Sequence, residues 1–118
     1  AGLDMNARGG ILVNDKMETS IKDIYAIGDA IEVVDCVTGE KAMVPLAGPA
    51  NKQGRICADQ IAGVDSRYTG TQGTSVAKVF DLTVSATGVN EKSLQRMGKS
   101  YWNAYQTLLI HPNDHAGY

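Results

Sequence analysis

The sequence has 118 residues, a formal net charge of −2 and 43% hydrophobic residues, a composition typical of a chain that folds in water. Lysine and arginine are scattered singly along the chain, so the sequence supplies no basic surface for nucleic acid. The longest apolar runs, such as residues 108–110, are far shorter than the roughly 20 residues that span a bilayer. We therefore expect neither a nucleic-acid partner nor a membrane segment.

The first residues and the cysteines indicate the cellular setting. The chain starts without Met and without a basic stretch that leads into an apolar one, so we expect a chain that begins within a longer protein and carries no signal peptide. Cys36 and Cys57 form neither a C-x-x-C pair nor a zinc pattern, and we expect two small buried thiols in a reducing cytoplasm. We assign no catalytic residue and no metal ligand to this chain.

Two short apolar segments in the first thirty residues are predicted as strands. Residues 11–13 lie between Gly-Gly and Asn-Asp turn signals. Residues 24–27 form a second apolar run, which stops at Gly28 and Asp29. A buried strand that ends at Gly-Asp is typical either of a ligand site or of an ordinary turn.

Small residues recur at steps of three and four after Pro45, which predicts an amphipathic helix with Pro45 and Pro49 in its first turn and Gly63 as its cap. The residues of the predicted face are Ala47, Ala50, Gly54, Cys57, Ala58 and Ile61. A face of this kind admits either a neighbouring backbone or a flat ligand, and the sequence leaves both open.

The second half of the chain is predicted to be α+β. Residues 64–74, rich in Gly, Thr and Ser, are interpreted as a linker with a domain boundary near Tyr68. Residues 76–86 alternate as a strand, and residues 101–110 alternate as a longer one.

A short helix is predicted between these two strands. It covers residues 91–97, with Asn90 as its cap and Gly98 at its end. Two or three strands with one short helix leave an apolar sheet face and open edges, which we expect something outside this chain to cover.

The segment from Thr19 to Asp29 carries the pattern T-x-x-x-x-I-Y-A-x-G-D, in which every fixed position is present. It resembles the second FAD fingerprint of the pyridine nucleotide-disulfide oxidoreductases. The resemblance implies that the Asp29 carboxylate accepts hydrogen bonds from the ribityl hydroxyls of FAD. Gly28 and Ala30, on either side of it, are the adjoining cofactor-binding candidates.

The resemblance continues into the predicted helix at residues 44–50, Val-Pro-Leu-Ala-Gly-Pro-Ala. The counterpart of this segment in the family approaches the pyrimidine side of the isoalloxazine ring. A helix start offers free amide hydrogens and a partial positive charge to a reduced, anionic flavin. Pro45, Leu46 and Ala47 are therefore further cofactor-binding candidates, although a helix that only packs on a sheet would look the same.

Residues 73–88 resemble the opening of the family's dimerisation domain. Residues 111–118, His-Pro-Asn-Asp-His-Ala-Gly-Tyr, resemble a stretch of the branch that contains coenzyme A-disulfide reductases and NADH oxidases. Tyr118 matches the first residue of a tyrosine pair implicated there at the partner subunit's thiol site, which makes it a substrate-binding candidate. The implied division is the C-terminal part of an FAD-binding α/β domain over residues 1–67 and the N-terminal part of an antiparallel-sheet dimerisation domain over residues 68–118.

The resemblance implies an intact homodimeric enzyme that passes electrons from NAD(P)H through FAD to a small thiol or disulfide substrate. Coenzyme A-disulfide reductase is the first reading, and NADH oxidase or peroxidase is the alternative. This chain has no G-x-G-x-x-G loop and no cysteine in the surroundings of the family's redox cysteine. Alone, it is expected to hold no FAD, to turn over no substrate and to act as a non-catalytic dimerisation module.

Overall fold

The computed structural model describes residues 2–100 and 103–111. The chain divides into two compact units, Ala1–Gly88 and Val89–Tyr118. The first unit contains, in order, a 3-10 turn at Gly28–Ala30, strands β1 (Val33–Val34) and β2 (Lys41–Ala42), helix α1 (Ala47–Ile61), and strands β3 (Ser75–Val79) and β4 (Leu82–Ala86). The second unit contains helix α2 (Glu91–Arg96). The mixture of helices and small antiparallel sheets confirms the predicted α+β class.

The core of the first unit lies between α1 and the loops of the N-terminal half. Its buried apolar residues are Met17, Ile31, Val33, Ile56 and Tyr68. Ile31 is 0% exposed and Met17 is 1% exposed, so the segment that follows the Gly28–Ala30 turn is tied firmly into the interior. Residues 11–13, predicted as a strand, are extended but paired only through single bridges from Ile11 to Met5 and to Ile31.

The prediction of a buried strand over residues 24–27 was wrong. Only one bridge, between Glu18 and Tyr25, pairs this segment, and Ile24 and Ile27 are 43% and 42% exposed. The last residue of the run, Ile27, is extended, with φ −143° and ψ 169°. No named strand among the described residues pairs with this segment.

Helix α1 confirms the predicted helix, although it begins at Ala47 and not at Pro45. Gly63 has φ +80° and ends the helix as predicted. The Gly63 N–H donates to Gln60 O and the Val64 N–H donates to Asp59 O, which is the Schellman pattern. A glycine is favoured there because a side chain at positive φ is strained.

Residues 64–74 do not form a free linker, because they pack on the first unit. Tyr68 is 8% exposed and its N–H donates to Asp15 O at 2.7 Å. Thr71 bridges in parallel to Asp35. The compact unit extends to Gly88, and the domain boundary near Tyr68 stays a prediction.

The single strand predicted over residues 76–86 is instead a hairpin. Strands β3 and β4 pair in antiparallel register from Ser75–Ala86 to Val79–Leu82, with a two-residue turn at Phe80 and Asp81. Phe80 adopts φ +53°, a conformation for which sequence reasoning expects glycine or asparagine. The large apolar side chains of this hairpin are exposed: Val76, Val79, Phe80, Leu82 and Val84.

In the second unit the predicted helix is confirmed over Glu91–Arg96. Asn90 Oδ1 accepts the Ser93 N–H at 2.9 Å, and Gly98 follows the helix with φ +73°. The strand predicted over residues 101–110 is wrong in its described part, since residues 103–110 form none. Residues 101 and 102 and residues 112–118, including the substrate-binding candidate Tyr118, lie outside the described residues.

Two further properties concern the whole described chain. Cys36 is exposed and Cys57 is half-buried, both as free thiols, so the prediction of two buried thiols was wrong for Cys36. Over residues 2–100 and 103–111, no helix combines the length and the apolar character needed to cross a membrane.

Gly70 provides a test of how residues 64–74 pack. Its φ is +94°, and a Cβ at this position would lie 2.5 Å from Val34 O, the acceptor of the Thr71 N–H. We expect Gly70→Ala to destabilise the protein by more than about 2 kcal/mol, because backbone strain and a backbone clash add. Chemical denaturation measures this loss.

Gly73→Ala is the matched control for that variant. Gly73 also has positive φ, at +66°, but a Cβ there would meet no atom within 4 Å. We expect only the strain cost of about 1 kcal/mol. Equal losses for the two variants would show that the close approach at Val34 is not present in solution.

Candidate functional site

The turn Gly28–Ala30, called the Asp29 turn from here on, marks an abrupt change in backbone direction. Ile27 is extended, Gly28 has φ +76°, and the next residues form a single 3-10 turn. Glycine allows this change because it lacks the Cβ that disfavours positive φ. Asp29 therefore directly follows the sharp change of direction at Gly28.

Two long-range hydrogen bonds hold the Asp29 turn in place. At its start, the Gly28 N–H donates to Gln53 Oε1 on α1 at 2.8 Å. At its end, Ala30 O accepts the Ile11 N–H at 2.8 Å. Buried Ile31 follows directly, so the turn is fixed on both sides by contacts with distant parts of the chain.

The small-residue face of α1 packs against the segment that leads into the Asp29 turn. A Cβ at Gly28 would lie 3.9 Å from the Ala50 Cβ, so Ala50 approaches the backbone of Gly28, whereas a Cβ at Gly54 would lie 3.7 Å from Ile27 Cδ1, a side-chain atom. Of the two alternatives left open by the sequence, a neighbouring segment of the chain therefore occupies this part of the face. The remaining alternative, a flat ligand, applies to the start of the helix.

The N-terminus of α1 offers free backbone donors. The N-cap residue Leu46 makes no side-chain capping bond, and the first helical bond runs from the Ala50 N–H to Leu46 O. The amides of Ala47 and Gly48 thus precede the helical ladder, and Pro49 has no N–H. Pro45, Ala47 and Gly48 are exposed, so this partially positive end is open to a ligand.

The side chain of Asp29 is exposed and bonds to no residue that the structure describes. The structure brings the Asp29 turn, Gly28–Ala30, into contact with helix α1, which begins at Ala47. A carboxylate suits the hydroxyls of a sugar alcohol, and free helix amides suit a ring carbonyl. The chemistry of these groups is therefore of the kind that a flavin uses.

Gln53 is a buried polar residue in contact with the Asp29 turn that the sequence analysis did not identify. It lies three residues after Ala50 and one before Gly54, within the small-residue face, although its side chain is polar. A polar residue at an inward helical position indicates a buried hydrogen bond, so the sequence could have singled out Gln53. The sequence could not identify its partner, because Gly28 is 25 positions away.

Glu32 lies two residues after the Asp29 turn and contacts two other parts of the chain. Its side chain is 13% exposed, accepts a hydrogen bond from Asn6 Nδ2 at 2.8 Å and pairs with Lys41 Nζ at 3.2 Å. These two contacts, the Asn6 bond first, hold the pKa of Glu32 below its ordinary value. The ionised carboxylate thereby joins the N-terminal loop to β2.

Part of the chain matches a known protein family. Residues 1–54 match the model of a family described as pyridine nucleotide-disulphide oxidoreductase. The chain belongs to this family, which confirms the resemblance that the fingerprint suggested.

Relatives in the family indicate the branch. A coenzyme A disulfide reductase of Staphylococcus haemolyticus is 34% identical over 97% of this chain and 25% of its own length. An NADH oxidase of Methanocaldococcus jannaschii is 43% identical over 67% of this chain and 18% of its own length. The crystal structure of reduced Bacillus anthracis CoADR-RHD has a TM-score of 0.79 and 61% identity over 85% of this chain and 18% of its own. The chain thus spans a quarter or less of each of these proteins.

The contacts of Glu32 generate a pH prediction. A depressed pKa in the folded state stabilises the fold above the ordinary value, 4.5, and this contribution is lost as the pH falls through the lower folded value. We expect Glu32→Gln to be less stable than wild type at pH 6–7, with the difference shrinking as the pH falls below 4.5. Urea denaturation across this pH range measures it, and a difference that persists unchanged at pH 3 would contradict it.

Proposed function

We propose that this chain is part of a FAD-dependent NAD(P)H:disulfide oxidoreductase of the coenzyme A-disulfide reductase type. The observation that carries the proposal is the placement of the Asp29 turn on the helix whose uncapped N-terminus is open. Bound FAD would supply the redox chemistry, taking hydride equivalents from NAD(P)H and delivering them to a disulfide. The chain's own residues bind and orient the cofactor.

Asp29 would accept hydrogen bonds from ribityl hydroxyls, with Gly28 and Ala30 shaping the backbone beside it. The backbone at Pro45, Leu46 and Ala47 would face the flavin ring, where the partial positive charge of the helix start favours negative charge on the ring. These roles use atoms that are exposed or outside the helical ladder in the structure.

The rest of the assembly follows from the same proposal. Residues 1–67 would complete an FAD-binding domain and residues 68–118 would begin a dimerisation domain, in a cytoplasmic homodimer that acts on a small thiol or disulfide such as coenzyme A disulfide. The apolar side chains exposed on the β3–β4 hairpin support the assignment of a surface that another part of the dimer covers. Tyr118 would reach the partner subunit's thiol site.

NADH oxidase or peroxidase is the second candidate. The NADH oxidase of Methanocaldococcus jannaschii favours the oxidase reading, because its sequence identity to this chain, 43%, exceeds the 34% of the Staphylococcus haemolyticus coenzyme A disulfide reductase. Both candidates use the same flavin contacts and differ in the electron acceptor. Assays of the complete protein with coenzyme A disulfide and with oxygen separate them.

Asp29→Asn in the complete protein tests the flavin site. The substitution keeps the shape of the side chain but removes the negative charge, and hydrogen bonds to charged groups are worth about 1.5–3 kcal/mol. We expect FAD affinity to fall by roughly 10- to 100-fold, measured by titrating the apoprotein with FAD.

Asp23→Asn is the control for this titration. Asp23 is exposed in the same segment and has φ +65°, which asparagine tolerates well. Its FAD affinity should match that of the wild type. Unchanged affinity in Asp29→Asn would contradict the assignment of the site.

The 118-residue polypeptide by itself gives a separate prediction. We expect it to associate through the exposed hairpin and to contain no FAD, because the contacts around Asp29 and the α1 start are few and no glycine-rich phosphate loop accompanies them. Sedimentation and a visible absorption spectrum measure both properties. A yellow, strictly monomeric product would overturn this expectation.

A further inference from the structure

We propose that Gln53 is a positioning residue for the flavin, which sets the Asp29 turn relative to the start of α1. This inference rests on the proposed function and extends it to a side chain that does not itself bind the cofactor. Its basis is the one side-chain hydrogen bond among the described residues, 2.8 Å from Gly28 N to Gln53 Oε1, that connects the Asp29 turn to α1.

Burial makes this hydrogen bond costly to break. Gln53 is 1% exposed and is the one buried polar side chain among the described residues. A buried amide without a partner destabilises a protein more than a formed hydrogen bond stabilises it. The glutamine is therefore held in the orientation that presents its oxygen to Gly28, since a backbone N–H can only donate.

The Asp29 turn depends on such external support. Its own closing bond, from the Ile31 N–H to Gly28 O, is long at 3.4 Å. The bonds to Gln53 and Ile11 are both 2.8 Å, so the ends of the turn are fixed by the surrounding structure more strongly than by the turn itself.

Packing alone does not supply the same constraint. Ala50 and Gly54 bring α1 close to Gly28 and Ile27. Apolar contacts of this kind limit how closely the two segments approach, but they are not directional and do not fix the rotation of a peptide group. A hydrogen bond is directional and weakens steeply away from a linear arrangement. Gln53 therefore fixes the rotation of the Ile27–Gly28 peptide, at the start of the turn that carries the Asp29 carboxylate.

The test uses the complete, FAD-loaded protein and the variants Gln53→Leu, which removes the acceptor at similar volume, and Gln53→Glu, which keeps one. We expect Gln53→Leu to weaken FAD binding about tenfold, equivalent to one ordinary hydrogen bond, and to shift the visible flavin absorption. Gln53→Glu should restore most of the affinity and the wild-type spectrum.

Gln60→Leu is the matched control on the same helix. Gln60 Nε2 donates to Ser66 O at 2.5 Å, so this variant also removes a glutamine bond to a distant backbone group, but near the far end of α1. It should reduce thermal stability and leave the flavin spectrum and affinity unchanged. A merely structural role for Gln53 would make the two leucine variants alike in both FAD measurements, and that result would overturn the inference.

The outcomes separate this inference from the function on which it rests. Normal FAD binding by Gln53→Leu, together with weakened binding by Asp29→Asn, would overturn the role of Gln53 alone. A complete wild-type protein that binds no FAD would overturn both. Weakened binding in Gln53→Leu, rescue by Gln53→Glu and no effect of Gln60→Leu would support the positioning role.

Discussion

The candidate site depends on the hydrogen bond between the Gly28 N–H and Gln53 Oε1. It joins a turn without a strong internal bond to the only long helix of the first unit in its described part, and it does so from within the interior. The positioning role proposed for Gln53 follows from this connection. The bond joins the two elements that carry the Asp29 carboxylate and the free amides at the start of α1.

The arrangement also explains the residue types around it. Ala50 lies close to the backbone of Gly28, Gly54 lies close to the side chain of Ile27, and Gly28 allows the change of direction that a larger residue would resist. Ile31 is fully buried immediately after the turn and anchors the segment in the core.

Sequence patterns predicted the features that depend on a few neighbouring residues. Helix α1 with its Gly63 cap, and α2 with its Asn90 cap, are local signals in which the residue and its partner lie within one or two turns. The fingerprint around Asp29 is local in the same sense. Such features are readable because the capping residue type and the backbone conformation determine each other.

Features that depend on distant partners were not predicted. The burial of Ile24 and Ile27 depends on which distant parts of the chain pack over them, whereas hydrophobicity alone implied burial. Residues 64–74 have a composition typical of a linker, but Tyr68 bonds to Asp15 and belongs to the core. Gln53 belongs to the same group, because nothing near it in sequence indicates Gly28.

The turn at Phe80 has a consequence for the hairpin between β3 and β4. A phenylalanine at φ +53°, 92% exposed, costs about 1–2 kcal/mol of conformational energy and buries almost no surface in return. Two isolated strands are only marginally stable in water. Within the first unit, the amide hydrogens of β3 and β4 should therefore exchange with solvent faster than those of α1. Slow exchange in the hairpin would indicate that another part of the protein covers it.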